Sequence, residues 1–342
     1  MKRKAVTIIV LIFAAIGALT FLNAAIDHPN KEKNAFVRYF NANLIRSAEL
    51  SHQGEITALC GFDSAKLFFN ERTPDKIVYC SKELSGRKEL TLRLNRSSDW
   101  RFYTVVTYPN IDILFGNDRK IASGNLLNDS LTTTMIRTNA FANVVRISDG
   151  VFIIRTVDTP TLDAVFKKVN INANCIITDN NLSQRLHDGG FVNDGKLSYD
   201  PVSNILAYVN YYSHHVIFFD TSFKLLLRSQ TIDTTTISNV PIIRKGGAIT
   251  HKSPPVMVNG NSCAFGGVLY VRSKLKADNE NLRDFKRNEV IDRYLISDGR
   301  YIGSFYLPLP DDHRLLNFQV IGNNQLIAVY DTEIVKYKIA TE

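Results

Sequence analysis

The sequence predicts an all-β protein built from a repeated group of short strands. From about residue 55 onward, runs rich in Ile, Val, Phe, Tyr and Thr are separated by turn-forming Asn, Asp, Gly and Ser, which is the pattern of strands and tight turns. Amphipathic helical periodicity is scarce. The 342 residues contain no low-complexity tract and no long charge block, so the composition is that of an ordered chain.

The repeated feature is a strand, a turn of small polar residues and a second strand. Its copies begin at Ile77, Ile121, Cys175, Val216, Arg293 and Ile334. Successive copies start 44, 54, 41, 77 and 41 residues apart, and propeller blades of four strands repeat about every 40–50 residues. The step of 77 contains a long loop from Thr234 to about Ser262, which we interpret as an insertion.

Two further strands are predicted upstream of each later copy. They are Gly195–Tyr199 with Ile205–Val209, Ser262–Gly266 with Val268–Arg272, and Asn317–Ile321 with Gln325–Tyr330. Four strands in each of six units predict a β-propeller over residues 46–342, with six blades of four antiparallel strands. The last unit lacks its outermost strand, and Phe36–Phe40 is the segment expected to complete it and close the ring. Seven blades, an irregular β-sandwich and two stacked β domains stay open as alternatives.

An uncharged apolar run, Ala5–Ala25, follows the basic cluster Lys2-Arg3-Lys4. About 20 apolar residues span a bilayer, and basic residues before such a run stay in the cytoplasm. We therefore expect a transmembrane or signal helix over residues 1–25, a tether over 26–45, and a periplasmic body anchored to a bacterial inner membrane. Cleavage after Ala25 would instead release the body into the periplasm, although Asn23 fits the −3 position of a cleavage site poorly.

The last third of the chain contains two recognisable sequence segments, VIDRYLISDGRYIGSFYLPLP at 290–310 and IVKYKI at 334–339. A third segment, NAFVRYF, lies at 34–40. They resemble the six-bladed, TolB-like propellers found widely in exported Bacteroidetes proteins. The resemblance covers roughly residues 34–341. It implies the propeller fold and export, and it carries over no catalytic site.

Charge and cysteine usage narrow the classes of function. The net charge of +8 comes from Lys and Arg spread along the chain, so nucleic-acid binding is not expected. The four cysteines form no CxxC pair and no Cys/His array with zinc spacing. G-x-S-x-G, H-E-x-x-H and P-loop motifs are absent. No metal site and no cofactor are therefore predicted, and no catalytic residue is identified.

Two long connections, Thr234–Ser262 and Ser273–Arg287, supply the predicted binding site. Both should emerge on one face of a propeller, and connections of this length are usually functional or disordered. The side chains predicted to bind a protein partner or a small anionic ligand there are Arg244, Lys245, His251, Lys252, Lys274, Arg283 and Arg287, with Lys276 beside them.

The function predicted from these features is non-catalytic binding or protein interaction beyond the inner membrane. The alternative is a metal-dependent hydrolase or lactonase at the central channel, which needs Asp, Glu, Asn or His side chains from several blades to converge. A purely structural role in the envelope is a third hypothesis. Asp311-Asp312-His313 is a further acidic candidate, although a solvated loop also explains it.

Overall fold

A computed structural model describes residues 15–17, 19–20, 33–94, 101–128, 130–179, 181–236, 240–246, 248–310, 313–322 and 324–341. Residues 15–17 and 19–20 of the predicted anchor are helical, and the rest of that segment lies outside the described residues. Within the described ranges, no helix has both the length and the apolar character needed to cross a bilayer.

Almost all regular structure in the described residues is β-strand. The strands are β1 (Ala42–Ser51), β2 (Ile56–Phe62), β3 (Lys66–Glu71), β4 (Lys76–Ser81), β5 (Lys88–Thr91), β6 (Phe102–Thr107), β7 (Asn110–Phe115), β8 (Lys120–Asn125), β9 (Ser130–Met135), β10 (Phe141–Ser148), β11 (Val151–Val157), β12 (Ala164–Asn170), β13 (Cys175–Asp179), β14 (Gly195–Asp200), β15 (Ile205–Asn210), β16 (His215–Asp220), β17 (Leu225–Gln230), β18 (Ile242–Lys245), β19 (Ala248–His251), β20 (Asn259–Phe265), β21 (Val268–Ser273), β22 (Asn288–Leu295), β23 (Tyr301–Pro308), β24 (Leu315–Val320), β25 (Gln325–Tyr330) and β26 (Glu333–Thr341). A short helix, α1 (Leu282–Arg287), precedes β22.

Runs of four strands form antiparallel units, which we number along the chain. The first unit is β2–β5, the second β6–β9, the third β10–β13, the fourth β14–β17, the fifth β20–β23, and the last is β24–β26 completed by β1. The parallel pair of Gly61 with Val106 joins β2 to β6, and with them the first two units, into one continuous sheet. The first strands of the units are neighbours in the order β2, β6, β10, β14, β20, β24 and back to β2. This arrangement is consistent with a β-propeller.

The strand that completes the last unit is β1, which pairs antiparallel with β26 from Ala42 opposite Thr341 to Ser51 opposite Glu333. The prediction that Phe36–Phe40 plays this part is therefore wrong. That segment is extended, but its backbone bonds to the β21–β22 connection: Asp278 N donates to Phe36 O at 2.9 Å, and Arg38 N donates to Asn279 Oδ1 at 3.0 Å.

Most predicted strands match the described ones, with one misplaced copy. Cys175–Thr178 was predicted to start a copy of the hairpin, as β4, β8, β16, β22 and β26 do, but β13 is the outermost strand of the third unit. The strand in the equivalent position is β12, whose central Lys167-Lys168 interrupts the apolar pattern. Ile177 made β13 look like an inner strand, although its side chain is 54% exposed.

The hydrophobic core lies between neighbouring units rather than inside one sheet. Phe166 of the third unit, for example, packs 5.2 Å from Phe219 of the fourth, measured between ring centroids.

Hydrogen bonds also connect neighbouring units. The fully buried Asp200 carboxylate, in the fourth unit, accepts from the backbone N–H groups of Gly266 at 3.0 Å and Gly267 at 2.7 Å, in the fifth. Both glycines have positive φ, so the β20–β21 turn can point its N–H groups at this acceptor.

Candidate functional site

A cavity of about 1130 Å³ lies where the first strands of all the units meet, and we call it the central channel. Its wall comes from β2, β6, β10, β14, β20 and β24, so every unit contributes side chains. Tyr108, Asn110 and Asn204 line the end at which the first strands turn into the second strands. Cavities of roughly 300–1,000 Å³ commonly hold small molecules, so the channel has room for one.

Lys196, on β14, is a cation in the channel wall. The start of β14 is held by Asn143 of β10, whose Nδ2 donates to Gly195 O at 2.9 Å and whose Oδ1 accepts from Leu197 N at 3.3 Å. No carboxylate among the described residues forms an ion pair with Lys196. Burial lowers the pKa of its ammonium group, and the neighbouring Cys263 opposes this only in part. Within the described part of the chain, this charge therefore has no counterion.

The other charged side chains in the described lining are Arg146 and Asp149, and they compensate each other. Arg146 Nη2 donates to Asp149 Oδ1 at 2.5 Å, and its Nε lies 3.3 Å from Asp112 Oδ2. Burial raises the pKa of the Asp112 carboxyl despite this arginine and the hydrogen bond from Ser123. The uncompensated charge in the described lining is therefore that of Lys196.

The two thiols in the channel wall are poor nucleophiles. Burial raises the pKa of the Cys263 thiol to about 12 and raises that of Cys60 above its ordinary value as well. Both thus stay protonated near neutral pH, whereas reactive cysteines need a thiolate.

Neutral hydrogen-bonding groups make up much of the remaining lining. Asn317 and Gln319, on β24, offer side-chain amides. Ser198 and Ser262 bond to each other, with 2.9 Å between their Oγ atoms. The buried Thr104 Oγ1 has no hydrogen-bond partner in the described part of the chain. Such a wall can orient a polar ligand, but among these described residues no group of three His, Cys, Asp or Glu side chains is placed to hold a metal ion.

Of the side chains on the long connections that were predicted to bind a ligand or partner, most are exposed and two are packed or paired within the protein. Arg244 and Lys245 lie on β18, Lys252 follows β19, and Arg283 and Arg287 lie on α1; all of these are exposed. They form two groups, one on the β18–β19 hairpin and one on the helix.

His251 and Lys274 instead make contacts with other side chains of the protein. The His251 ring packs edge-on against Phe191, with 4.6 Å between ring centroids. Lys274 Nζ lies 3.1 Å from Glu289 Oε2. Burial and the nearby Arg272 lower the pKa of Lys274, and Glu289 partly offsets them. Both side chains therefore make contacts within the protein itself.

The remaining acidic candidate contributes little. Asp311 and Asp312 lie outside the described residues. His313 Nδ1 lies 3.2 Å from Asp331 Oδ1, across the β25–β26 turn, and 2.9 Å from Thr332 Oγ1. The described contacts of His313 are thus those of a turn within the last unit.

Comparison with known proteins identifies the fold. No family model matches the chain, and no curated protein matches it either. Among solved structures, a member of the DUF4221 family from Bacteroides vulgatus is similar with a TM-score of 0.57 and 12% identity, over 89% of this chain and 100% of that one. The fold is a β-propeller.

Two enzyme structures share this propeller fold. A streptogramin B lyase has a TM-score of 0.51 at 12% identity, covering 89% of this chain and 99% of its own. An inactive variant of virginiamycin B lyase from Staphylococcus aureus, crystallised with quinupristin, has a TM-score of 0.52 at 10% identity, covering 87% of this chain and 99% of its own. Identities this low show the fold of the propeller and nothing of its chemistry.

Proposed function

We propose that the chain is a non-catalytic binding propeller that holds a small anionic molecule in its central channel. The observation that carries the proposal is Lys196, a partly buried lysine in the channel wall without an acidic partner among the described residues. Keeping an ammonium group away from water without a counterion is costly. A bound carboxylate or phosphate removes this cost, because it supplies the missing negative charge.

The rest of the lining supports a ligand with both charged and neutral polar groups. Asn317 and Gln319 provide amide donors and acceptors. The channel volume of about 1130 Å³ accommodates a molecule larger than a simple ion. We therefore propose a small metabolite bearing a carboxylate or phosphate, with Lys196 binding its anionic end.

Binding is favoured over the metal-dependent hydrolase or lactonase because the described channel lining offers few groups that could ligate a metal ion. That alternative needs acidic or imidazole ligands from several units. The carboxylate in the described channel lining is Asp149, which is engaged by Arg146 and 78% exposed. The thiols of Cys60 and Cys263 stay protonated, so covalent catalysis by a thiolate gains no support either.

The propeller is proposed to have six blades, one for each four-stranded unit, and to belong with the TolB-like propellers of exported Bacteroidetes proteins. The order in which the first strands neighbour one another supports this blade count. The apolar run Ala5–Ala25 behind three basic residues supports an inner-membrane anchor with the propeller in the periplasm.

The test is ligand-induced stabilisation of the full-length protein in detergent. We would measure thermal unfolding with inorganic phosphate and with mono-, di- and tricarboxylates, for the wild type, Lys196→Met and the surface control Lys224→Met. A ligand present at 100 times its Kd stabilises by about 2.7 kcal/mol. We expect at least one anion to stabilise the wild type and Lys224→Met but not Lys196→Met. Equal stabilisation of all three proteins would contradict a channel site.

A further inference from the structure

A segment before β1, Lys33–Asn41, lies across the fifth unit, and we call it the strap. At its start, Asn34 N donates to Asp278 Oδ1 at 2.7 Å, and Asn34 Nδ2 donates to Lys276 O at 2.8 Å. Thr234 Oγ1 donates to Asn34 O at 3.0 Å. Lys276 and Asp278 belong to one long connection and Thr234 to the other. The strap therefore begins between these two connections, on the face from which both emerge.

The strap is fixed to the propeller by Arg38. Its Nε donates to Asp292 Oδ1 at 2.9 Å, its Nη2 donates to Ser273 Oγ at 2.6 Å, and its Nη1 bonds to Glu280. The side chains of Arg38 and Glu280 are fully buried. Further along, the Phe40 ring stacks on Tyr306 with 4.3 Å between centroids. The position of Lys33 relative to the propeller is thus set by buried contacts.

Seven residues, 26–32, lie between Ala25 at the end of the proposed anchor and Lys33. An extended chain spans at most about 3.3–3.6 Å per residue, so the eight steps from Ala25 to Lys33 reach at most about 29 Å. If the anchor is retained, the face with the long connections is held near the bilayer. The opposite face, which carries the β14–β15 turn with Val202, then points away from it.

The side chains on this face suit an anionic bilayer surface. The exposed basic residues of the strap, the two connections and α1 are Lys33, Arg244, Lys245, Lys252, Arg283, Lys286 and Arg287, and the exposed acidic residues of the same described segments are Asp278 and Asp284. Val256, 65% exposed, and Met257, 41% exposed, add apolar side chains. Each basic residue near an anionic bilayer contributes about 1 kcal/mol of attraction.

We infer that this face docks on the anionic lipid headgroups of the membrane that holds the anchor. The inference rests on the anchored location proposed above and is independent of the channel ligand. It also reassigns Arg244, Lys245, Lys252, Arg283 and Arg287, predicted to bind a protein partner or a small anionic ligand, to lipid headgroups.

The test compares two valines with the same exposure on opposite faces. Val256 and Val202 are each 65% exposed. In full-length protein carrying Cys175→Ser, reconstituted in nanodiscs, Val256→Cys or Val202→Cys is labelled with a fluorophore. The signal from the background without an added cysteine is subtracted. Quenching by headgroup-spin-labelled lipid is then measured in phosphatidylcholine alone and with phosphatidylglycerol.

We expect strong quenching at residue 256, weak quenching at 202, and a larger difference with phosphatidylglycerol that salt reduces. Arg283→Gln with Arg287→Gln should lower the docking equilibrium constant about thirtyfold, since each of the two cations contributes about 1 kcal/mol. The matched pair Lys224→Gln with Arg300→Gln, on turns of the opposite face, should leave it unchanged. Equal quenching at both positions, or no response to phosphatidylglycerol, overturns the inference. Because no channel ligand is present, failure here leaves the anion-binding result untouched.

Discussion

The guanidinium Nε of Arg38 lies 2.9 Å from Oδ1 of Asp292, although the two residues are 254 positions apart in the chain. Burial alone would lower the pKa of Arg38, but Asp292 and Glu280 raise it above its ordinary value, so the group stays charged. Asp292 Oδ1 also accepts from Ser304 Oγ at 2.6 Å. This buried cluster joins the strap to the fifth unit.

Removing one partner of this cluster should be strongly destabilising. Arg38→Met leaves two buried carboxylates uncompensated, and breaking a buried ion pair in this way costs about 3–5 kcal/mol. The free energy of unfolding in urea measures the effect. Arg46→Met is the control, since Arg46 pairs with Glu49 and Glu333 at a half-exposed position where such pairs are worth about 0–1 kcal/mol. Similar losses for the two variants would refute the role of the cluster.

Asp200 should stabilise the contact between the fourth and fifth units as well as its own turn. Besides Gly266 and Gly267, it accepts from Val202 N at 3.0 Å and from Ser203 Oγ at 2.8 Å. Asp200→Ala removes an acceptor from buried donors, so we expect a loss of about 2–3 kcal/mol in the free energy of unfolding. Asp220→Ala, which removes an acceptor used only by its own turn in the described contacts, should cost about 1 kcal/mol. Equal losses would argue against coupling between the fourth and fifth units.

Lys196→Met should stabilise the unliganded protein. Burial lowers the pKa of Lys196 below its unfolded value of 10.5. At pH values below both pKa values, the folded state carries the full penalty of a charged lysine that has no acidic partner among the described residues. As pH rises from the folded toward the unfolded pKa, the unfolded state binds more protons and the penalty is relieved.

We therefore expect Lys196→Met to exceed the wild type in unfolding free energy by about 1–2 kcal/mol near neutral pH, and the difference to shrink as pH approaches 10.5. Urea unfolding at several pH values measures this difference. A variant less stable than the wild type at neutral pH would show that Lys196 has a counterion in the protein, contrary to the proposed anion site.

His52 should make the protein less stable in mild acid than at neutral pH. Its Nε2 lies 3.1 Å from Tyr330 O, and its Nδ1 accepts from Gly54 N at 3.0 Å, an arrangement that suits the neutral ring. Burial lowers the pKa of His52 below 6.5. Stability is then lost as pH falls from 6.5 toward the folded pKa, because the unfolded state binds the proton first.

Replacing this ring should flatten that dependence. We expect His52→Gln to show less change in urea midpoint between about pH 7 and about pH 5 than the wild type. The control His187→Gln, at a ring that is 62% exposed, replaces a histidine without changing the contacts of His52. Glu71, whose pKa is raised by burial, acts with the opposite sign and is present in all three proteins. Parallel profiles for His52→Gln and the wild type would contradict this prediction.

The sequence predicted the strands of the later units well because each is a short apolar run bounded by turn residues. Gly195–Tyr199 and Gln325–Tyr330 fall inside β14 and β25. The closing strand was missed because β1 is an outer strand with mostly exposed or partly exposed side chains, so it lacks an apolar run. Phe36–Phe40 looked more like a strand because it is rich in Phe, Val and Tyr, but its buried side chains pack against the fifth unit.

The channel site could not be located from residue spacing. Lys196 lies in a correctly predicted first strand. Because the first strands line the channel, its position in the sequence could have indicated a charged side chain there. That Lys196 has no acidic partner among the described residues depends on which strands surround it, and β2, β6 and β24 are distant in the chain. The basic residues on the long connections were visible in the sequence, but the packing of His251 and the pairing of Lys274 were not.

A crystal structure of the full-length protein with the anion that stabilises it most in the thermal panel would show whether the channel binds an anion at Lys196. We expect electron density for the carboxylate or phosphate inside the channel, within hydrogen-bonding distance of Lys196 Nζ. Density confined to the hairpin and helix of the long connections, with an unchanged channel, would contradict it.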